Sequence, residues 1–174
     1  MHVRFAAPEM AQLDALRCEA LALPFFSDER PLRGPLGLID WRMCGFVSRL
    51  LASGRVAGTA LETVLVPARP KLSVDKLFLF GLGGAAELGE AQRAQAITHM
   101  LDTLARARVR TSALVLPGRS NGTVRAVDAF ETFVAVALAR EDHDELIVLE
   151  PAAGQKAMEP VLERERRRAR ARLP

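Results

Sequence analysis

The chain is poor in the residues that metal and redox chemistry require: its 174 residues include two cysteines and three histidines. Cys18 and Cys44 lie in separate apolar segments without a CxxC or CxxH neighbour, and read as small buried hydrophobes in a reducing compartment. His2, His99 and His143 are not spaced from one another as a ligand pair. Asp142, His143 and Asp144 are adjacent in an acidic turn, where neighbouring side chains seldom converge on one ion, so the turn reads as a solvated face and no metal is expected. A nucleophile elbow of the GxSxG type is also missing, and no catalytic residue is nominated.

Long apolar runs are absent too. Nowhere do about 18 uninterrupted apolar residues occur, so no membrane span is expected. Met1 to Met10 lacks the basic start and apolar stretch of a signal peptide, which places the chain in the cytoplasm by expectation. A broad excess of one charge is lacking as well. The net charge is +3, and residues 159–174, with six arginines against three glutamates, account for all of it. The body is neutral, which argues against a uniformly basic nucleic-acid face and leaves a basic tail.

What is present is enough for a core. The composition, 49% apolar and 26% charged, is that of a globular protein. A chain of this length buries roughly 70% of its unfolded surface. His2 to Ala6 alternates weakly as a strand would, and Ala15 to Phe26 is a long apolar run ended by the breaker Ser27 to Pro31. Ile39, Met43, Phe46, Val47 and Leu50 recur at helical spacing between Pro35 and Gly54, which predicts one amphipathic helix with Trp41 packed near its core face. Leu61 to Val66 and Leu77 to Leu82 read as buried strands.

A helix follows from about Glu90 to Ala107, then a strand from Ser112 to Leu116. The next helix has Val127, Phe130, Val134 and Ala137 on its apolar face, with Asn121 or Thr123 as cap. Leu146 to Leu149 is a further strand, and a final helix from Gln155 meets a break or new start at Pro160. The late alternation of strands and helices predicts an α/β fold, its mixed, largely parallel sheet flanked by helices on both faces. One domain is expected over residues 1–150, with a C-terminal helix and arginine-rich tail over 151–174.

Two loops carry the candidate ligand site. Gly81, Gly83 and Ala86 have the spacing of a dinucleotide fingerprint, with Gly84 beside them. Glu87 and Glu90, however, bring negative charge to the place a phosphate would take, so a tight turn is the leading reading and no cofactor is expected. Gly118, Arg119, Ser120 and Asn121 offer backbone amides and a guanidinium before a helix, an arrangement that could hold an anion, with ordinary turn and cap chemistry as the leading reading. Arg164, Arg166, Arg167, Arg168, Arg170 and Arg172 could touch nucleic acid, but no aromatic residue accompanies them and a solvated helical end is the plainer reading.

Leu36 to Gly54, with Ile39, Asp40, Gly45, Arg49 and Leu50, followed by Gly58, Thr59, Glu62 and the segment LFLFGLG at Leu77 to Gly83, resembles the N-terminal domain of leucyl aminopeptidases, the cytosol aminopeptidase family. The resemblance covers about residues 13–150. It implies a fold similar to macro domains. It also implies that the family's peptidase site, two divalent metals held by a lysine and carboxylates including those of the motif NTDAEGRL, belongs to a separate C-terminal domain. NTDAEGRL is not in this sequence, so no catalytic residue carries over and the chain is expected not to be an enzyme. The family's N-terminal domains help to organise a hexamer, and in some bacterial members contribute to DNA binding. The expectation is a non-catalytic binding or assembly module, joining itself or an aminopeptidase subunit. The alternative is a macro-type binder or hydrolase of ADP-ribose or another nucleotide, using Gly81 to Gly84 and Gly118 to Asn121.

Overall fold

A computed structural model describes residues 1–171. The elements run β1 (His2–Ala6), α1 (Met10–Ala15), β2 (Ala20–Phe25), α2 (Gly34–Arg42), α3 (Phe46–Ala52), β3 (Thr63–Pro67), β4 (Lys76–Gly81), a single 3₁₀ turn (Ala85–Glu87), α4 (Glu90–Arg106), β5 (Thr111–Leu114), α5 (Ala126–Ala137), β6 (Glu145–Leu149) and α6 (Ala152–Ala171). One six-stranded sheet has the order β1-β6-β5-β2-β4-β3. Every pairing is parallel except that of β3 with β4. The expected mixed, largely parallel sheet is therefore the one observed.

The inner strands are apolar on both faces because both faces are covered. Alternate residues point to opposite sides: Ala20, Ala22, Phe78, Phe80, Leu114, Leu146 and Val148 join the core beneath α4, α5 and α6. Leu21, Leu23, Phe25, Leu77, Leu79, Ala113, Ile147 and Leu149 join a second core beneath α1, α2 and α3. Met158, Val161 and Leu162 fasten α6 to the first of these.

Several local expectations need correction. The single helix expected from Pro35 to Gly54 is two, because Cys44 (φ 57°) and Gly45 (φ 74°) both adopt the left-handed conformation that stops a helix. Asp40 on α2 then serves α3: its Oδ1 accepts from Val47 N at 2.8 Å and Ser48 N at 3.1 Å, and its Oδ2 from Ser48 Oγ at 2.5 Å. Trp41 is not in the core but 72% exposed, since Leu36, Ile39, Asp40 and Met43 make the buried stripe and Trp41 falls on the far side of the helix. The strand expected at Leu61 to Val66 is the sheet's antiparallel edge, with Thr63, Leu65 and Pro67 exposed.

Asn121 and Thr123 do not cap α5, whose N-cap is Arg125 with no side-chain hydrogen bond. Asn121 Oδ1 instead accepts from Thr123 N and Oγ1 at 3.1 and 2.6 Å. Helix α6 runs through Pro160 without a break. Both cysteines are free, Cys44 is exposed rather than buried, and burial pushes the Cys18 thiol up to about 11. His143 is enclosed rather than solvated, and neither ring nitrogen has a hydrogen-bonding partner.

Candidate functional site

In a parallel sheet, ligands are accommodated at the carboxyl ends of strands where the outgoing connections diverge to opposite faces. Here the chain leaving β2 turns to α2 and α3 on one face, whereas the chains leaving its neighbours β4 and β5 turn to α4 and α5 on the other. The divergence opens a crevice of about 170 Å³ lined by Asp28, Glu29, Arg30, Arg33, Ala85 and Asn121. Both glycine-bearing loops border it, so the tertiary structure brings together the two segments singled out in the sequence.

The first loop is held by the chain's own groups. Gly81 N donates to Glu62 O and Gly83 N to Gly58 O, both at 2.9 Å, while Leu82 N donates to Phe25 O at 2.9 Å. A Cβ on Gly81 would overlap Thr59 O, and Gly83 has φ 76°, so glycine is required by close backbone approach and by a left-handed turn. Gly84 O accepts from Glu87 N at 3.0 Å to start the 3₁₀ turn. The next amide, Ala85 N, donates to Asp28 Oδ1 and Oδ2 at 3.1 and 3.2 Å, so a carboxylate stands where a phosphate would. Nearby, the Glu62 carboxylate accepts from the amides of Ala57, Gly58 and Thr59.

The second loop is equally committed. Gly118 (φ 81°) packs so tightly that a Cβ would lie 2.9 Å from Leu88 Cδ2, which ties this loop to the first. Arg119 does not face the crevice as a free guanidinium. Its Nε donates to Glu150 Oε2 at 3.0 Å, its Nη2 to Glu150 Oε1, and its Nη1 to Val124 O at 2.5 Å. Glu150 is 1% exposed. Ser120 lies against the backbone of Gly34, and Asn121 reaches the crevice wall. Glu150 is the charged residue at this edge that residue order did not single out; its signal is an acidic residue directly after the buried run Leu146 to Leu149.

The remaining polar groups at the mouth are Arg30 and Arg33, in no ion pair among the described residues, and Glu29. Burial pushes the Glu29 carboxyl up, and its Oε1 has no hydrogen-bonding partner. The histidines are elsewhere: His2 beside Glu145, His99 on Thr63 Oγ1 at 2.7 Å, and His143 inside the domain. The crevice therefore has charged groups for binding but no histidine positioned to activate Ser120.

Among the described residues, no group of three or more His, Cys, Asp and Glu could hold a metal ion. The donor set thus does not fit the two-metal chemistry of peptidases in the family it resembles. No helix among them is long and apolar enough to cross a membrane. In the tail, Arg164 pairs with Glu131, Arg166 donates to Val3 O at 3.0 Å, Arg167 pairs with Glu163 and Arg168 with Glu165. Arg172 and the side chain of Arg170 lie outside the described residues.

A family model described as "Cytosol aminopeptidase family, N-terminal domain" matches residues 22–145. A probable cytosol aminopeptidase of Cyanothece sp. is 26% identical over 129 residues, which are 72% of this chain and 25% of that protein. The chain thus spans a quarter of the length of this curated relative. A mutant of tomato leucine aminopeptidase superposes with a TM-score of 0.61 at 14% identity, covering 90% of this chain and 34% of the other. A Trypanosoma brucei macrodomain in complex with ADP-ribose gives a TM-score of 0.72 at 12% identity, covering 92% of this chain and 69% of that one. The likeness to these two structures is one of fold.

Proposed function

Because the chain belongs to the cytosol aminopeptidase family and carries its N-terminal domain, we propose that it acts as a non-catalytic binding or assembly module in the cytoplasm, joining copies of itself or an aminopeptidase subunit. The observation that supports this reading is that the groups suited to an anion are already engaged: the Ala85 amide donates to Asp28 at the crevice, and Arg119 beside it donates to Glu150. A nucleotide pyrophosphate would have to displace two carboxylates, one of them buried, and desolvated charge pairs are costly to separate. Fold alone does not assign an activity, and a crevice without an activated nucleophile supports recognition rather than chemistry.

The test is sedimentation velocity on the purified chain, alone and with a purified cytosol aminopeptidase. A self-associated species or a mixed complex is expected. A monomer that leaves the peptidase boundary unshifted overturns the reading. One observation favours a second reading, binding or hydrolysis of ADP-ribose: Arg30 and Arg33 stand at the crevice in no ion pair among the described residues, in a fold similar to that of a macrodomain solved in complex with ADP-ribose. Calorimetry with ADP-ribose separates the two. No heat at millimolar ligand is expected, whereas a saturable isotherm abolished by Arg33→Glu would establish the second reading.

A further inference from the structure

On the face opposite α4, α5 and α6, helices α2 and α3 meet at an angle forced by the left-handed pair Cys44 and Gly45. The angle leaves a groove of about 710 Å³, with Pro31, Leu32 and Trp41 among its walls and Asp40 and Ser48 at the α3 start. Trp41, the chain's single tryptophan, stands 72% exposed at this groove. Large aromatics that remain exposed beside apolar walls are the side chains most enriched among binding hot spots.

The charge at the groove that is left outside ion pairs and helix-start hydrogen bonds among the described residues is positive. Lys71 Nζ lies 3.3 Å from Cys44 Sγ, and Arg49 Nη1 donates to Cys44 O at 2.5 Å. Neither Lys71 nor Arg49 has an ion-pair partner among the described residues, whereas Arg42 is neutralised by Asp14. Asp40, the groove's own carboxylate, is buried and engaged by three donors at the start of α3. Lys71 and Arg49 thus both reach Cys44, a wall of the groove, and neither is neutralised by an ion pair among the described residues.

We infer that this groove docks an acidic polypeptide segment of a partner protein, with one large apolar side chain against Trp41, Leu32 and Pro31 and a neighbouring carboxylate on Lys71 and Arg49. The inference rests on the assembly reading above and names the surface through which it works. A polypeptide fits better than a nucleic acid. A phosphate backbone requires cations along a track and further aromatics for successive bases, whereas here the cations are clustered and the aromatic is single.

Trp41 makes the inference directly measurable, because its emission reports only on this groove. The probe is a blocked, fluorescein-labelled Glu-Glu-Phe-Glu-Glu peptide followed by anisotropy, with the unlabelled peptide used for the tryptophan spectrum. Saturable binding with a blue shift of Trp41 emission is expected, and Trp41→Ala should weaken it at least about tenfold. The pair Arg49→Glu and Lys71→Glu should weaken it similarly and remove its salt dependence, while Arg164→Glu leaves it unchanged. Trp41 is exposed, so Trp41→Ala should leave the urea unfolding midpoint essentially unchanged. No saturation at millimolar peptide, binding indifferent to Trp41→Ala, or preference for an oligothymidylate over the peptide each overturns the proposal. A self-associated or mixed complex that survives Trp41→Ala and the charge reversals would refute this groove while sparing the assembly reading; loss of any complex in the unmodified chain would refute that reading itself.

Discussion

Arg119 and Glu150, 31 residues apart, form a bidentate ion pair at the carboxyl edge of the sheet, with Glu150 enclosed beneath the first turn of α6. The pair links the loop after β5 to the chain leaving β6, and a third bond from Arg119 to Val124 O pins the approach to α5. A guanidinium otherwise suited to an outside anion is thereby part of the framework.

Removing one partner of this pair should be expensive. Glu150→Ala leaves the guanidinium uncompensated, and a loss of about 2–3 kcal/mol is expected in urea unfolding, below the ~3–5 kcal/mol of fully enclosed pairs because Arg119 keeps some access to water. Gly154→Ala should also destabilise, although alanine favours a helix by up to about 1 kcal/mol over glycine. A Cβ there would overlap the Glu150 carboxylate, so the steric effect decides the sign.

Gly81→Ala tests the reading of the first glycine loop as architecture. The added Cβ would collide with Thr59 O, a backbone atom that cannot swing aside. A loss of about 3 kcal/mol or more, or failure to accumulate in soluble form, is expected. A tolerated substitution would show that the Gly58–Thr59 turn can move away from β4.

Asp40 reaches across the break to hold the start of α3, whose own N-cap is glycine. Asp40→Ala should cost about 1–2 kcal/mol in chemical denaturation, and Asp40→Asn should restore most of it because an amide oxygen can accept the same backbone bonds.

His143 should make stability fall in mild acid. Burial holds its imidazole below the ordinary value of 6.5; Asp142 opposes this shift and Arg140 adds to it. The unfolded chain therefore binds the proton first as pH drops. Its contribution is fully present above about 6.5 and is lost as pH falls toward the folded-state value. Urea midpoints at pH 7.5 and 5.5 should differ more for the unmodified chain than for His143→Leu. Equal differences would mean that the imidazole takes up its proton without penalty.

The readable parts of the fold were those whose environment is uniform. Strands β2, β4 and β6 are covered on both sides and are apolar almost throughout, β5 leads into the apolar run over residues 113–116, and α4 and α5 show a full helical stripe. Helix α1 went unnoticed because six residues with Leu13 alone buried give no periodicity. Trp41 misled because its apolar character suggested the core, although two residues beyond Ile39 lies roughly the opposite face of the helix. His143 misled in the other direction: its polar neighbours suggested solvent, and the packing that encloses it comes from distant segments.

The same division applies to the candidate site. Residue order alone determined that two glycine-bearing turns follow two buried strands, since left-handed turns and close backbone approach demand glycine wherever the chain goes next. It also carried the pattern of the family to which the chain belongs. The tertiary structure decided the rest. Strand order placed β4 and β5 on either side of β2, brought Glu150 to Arg119, put Asp28 on the Ala85 amide, and turned Trp41 outward into a groove that Cys44 also lines. Periodicity and turn chemistry act within a few residues and can be read locally; ion pairing and exposure depend on which distant segments arrive at the same edge, and that is fixed only when the sheet closes.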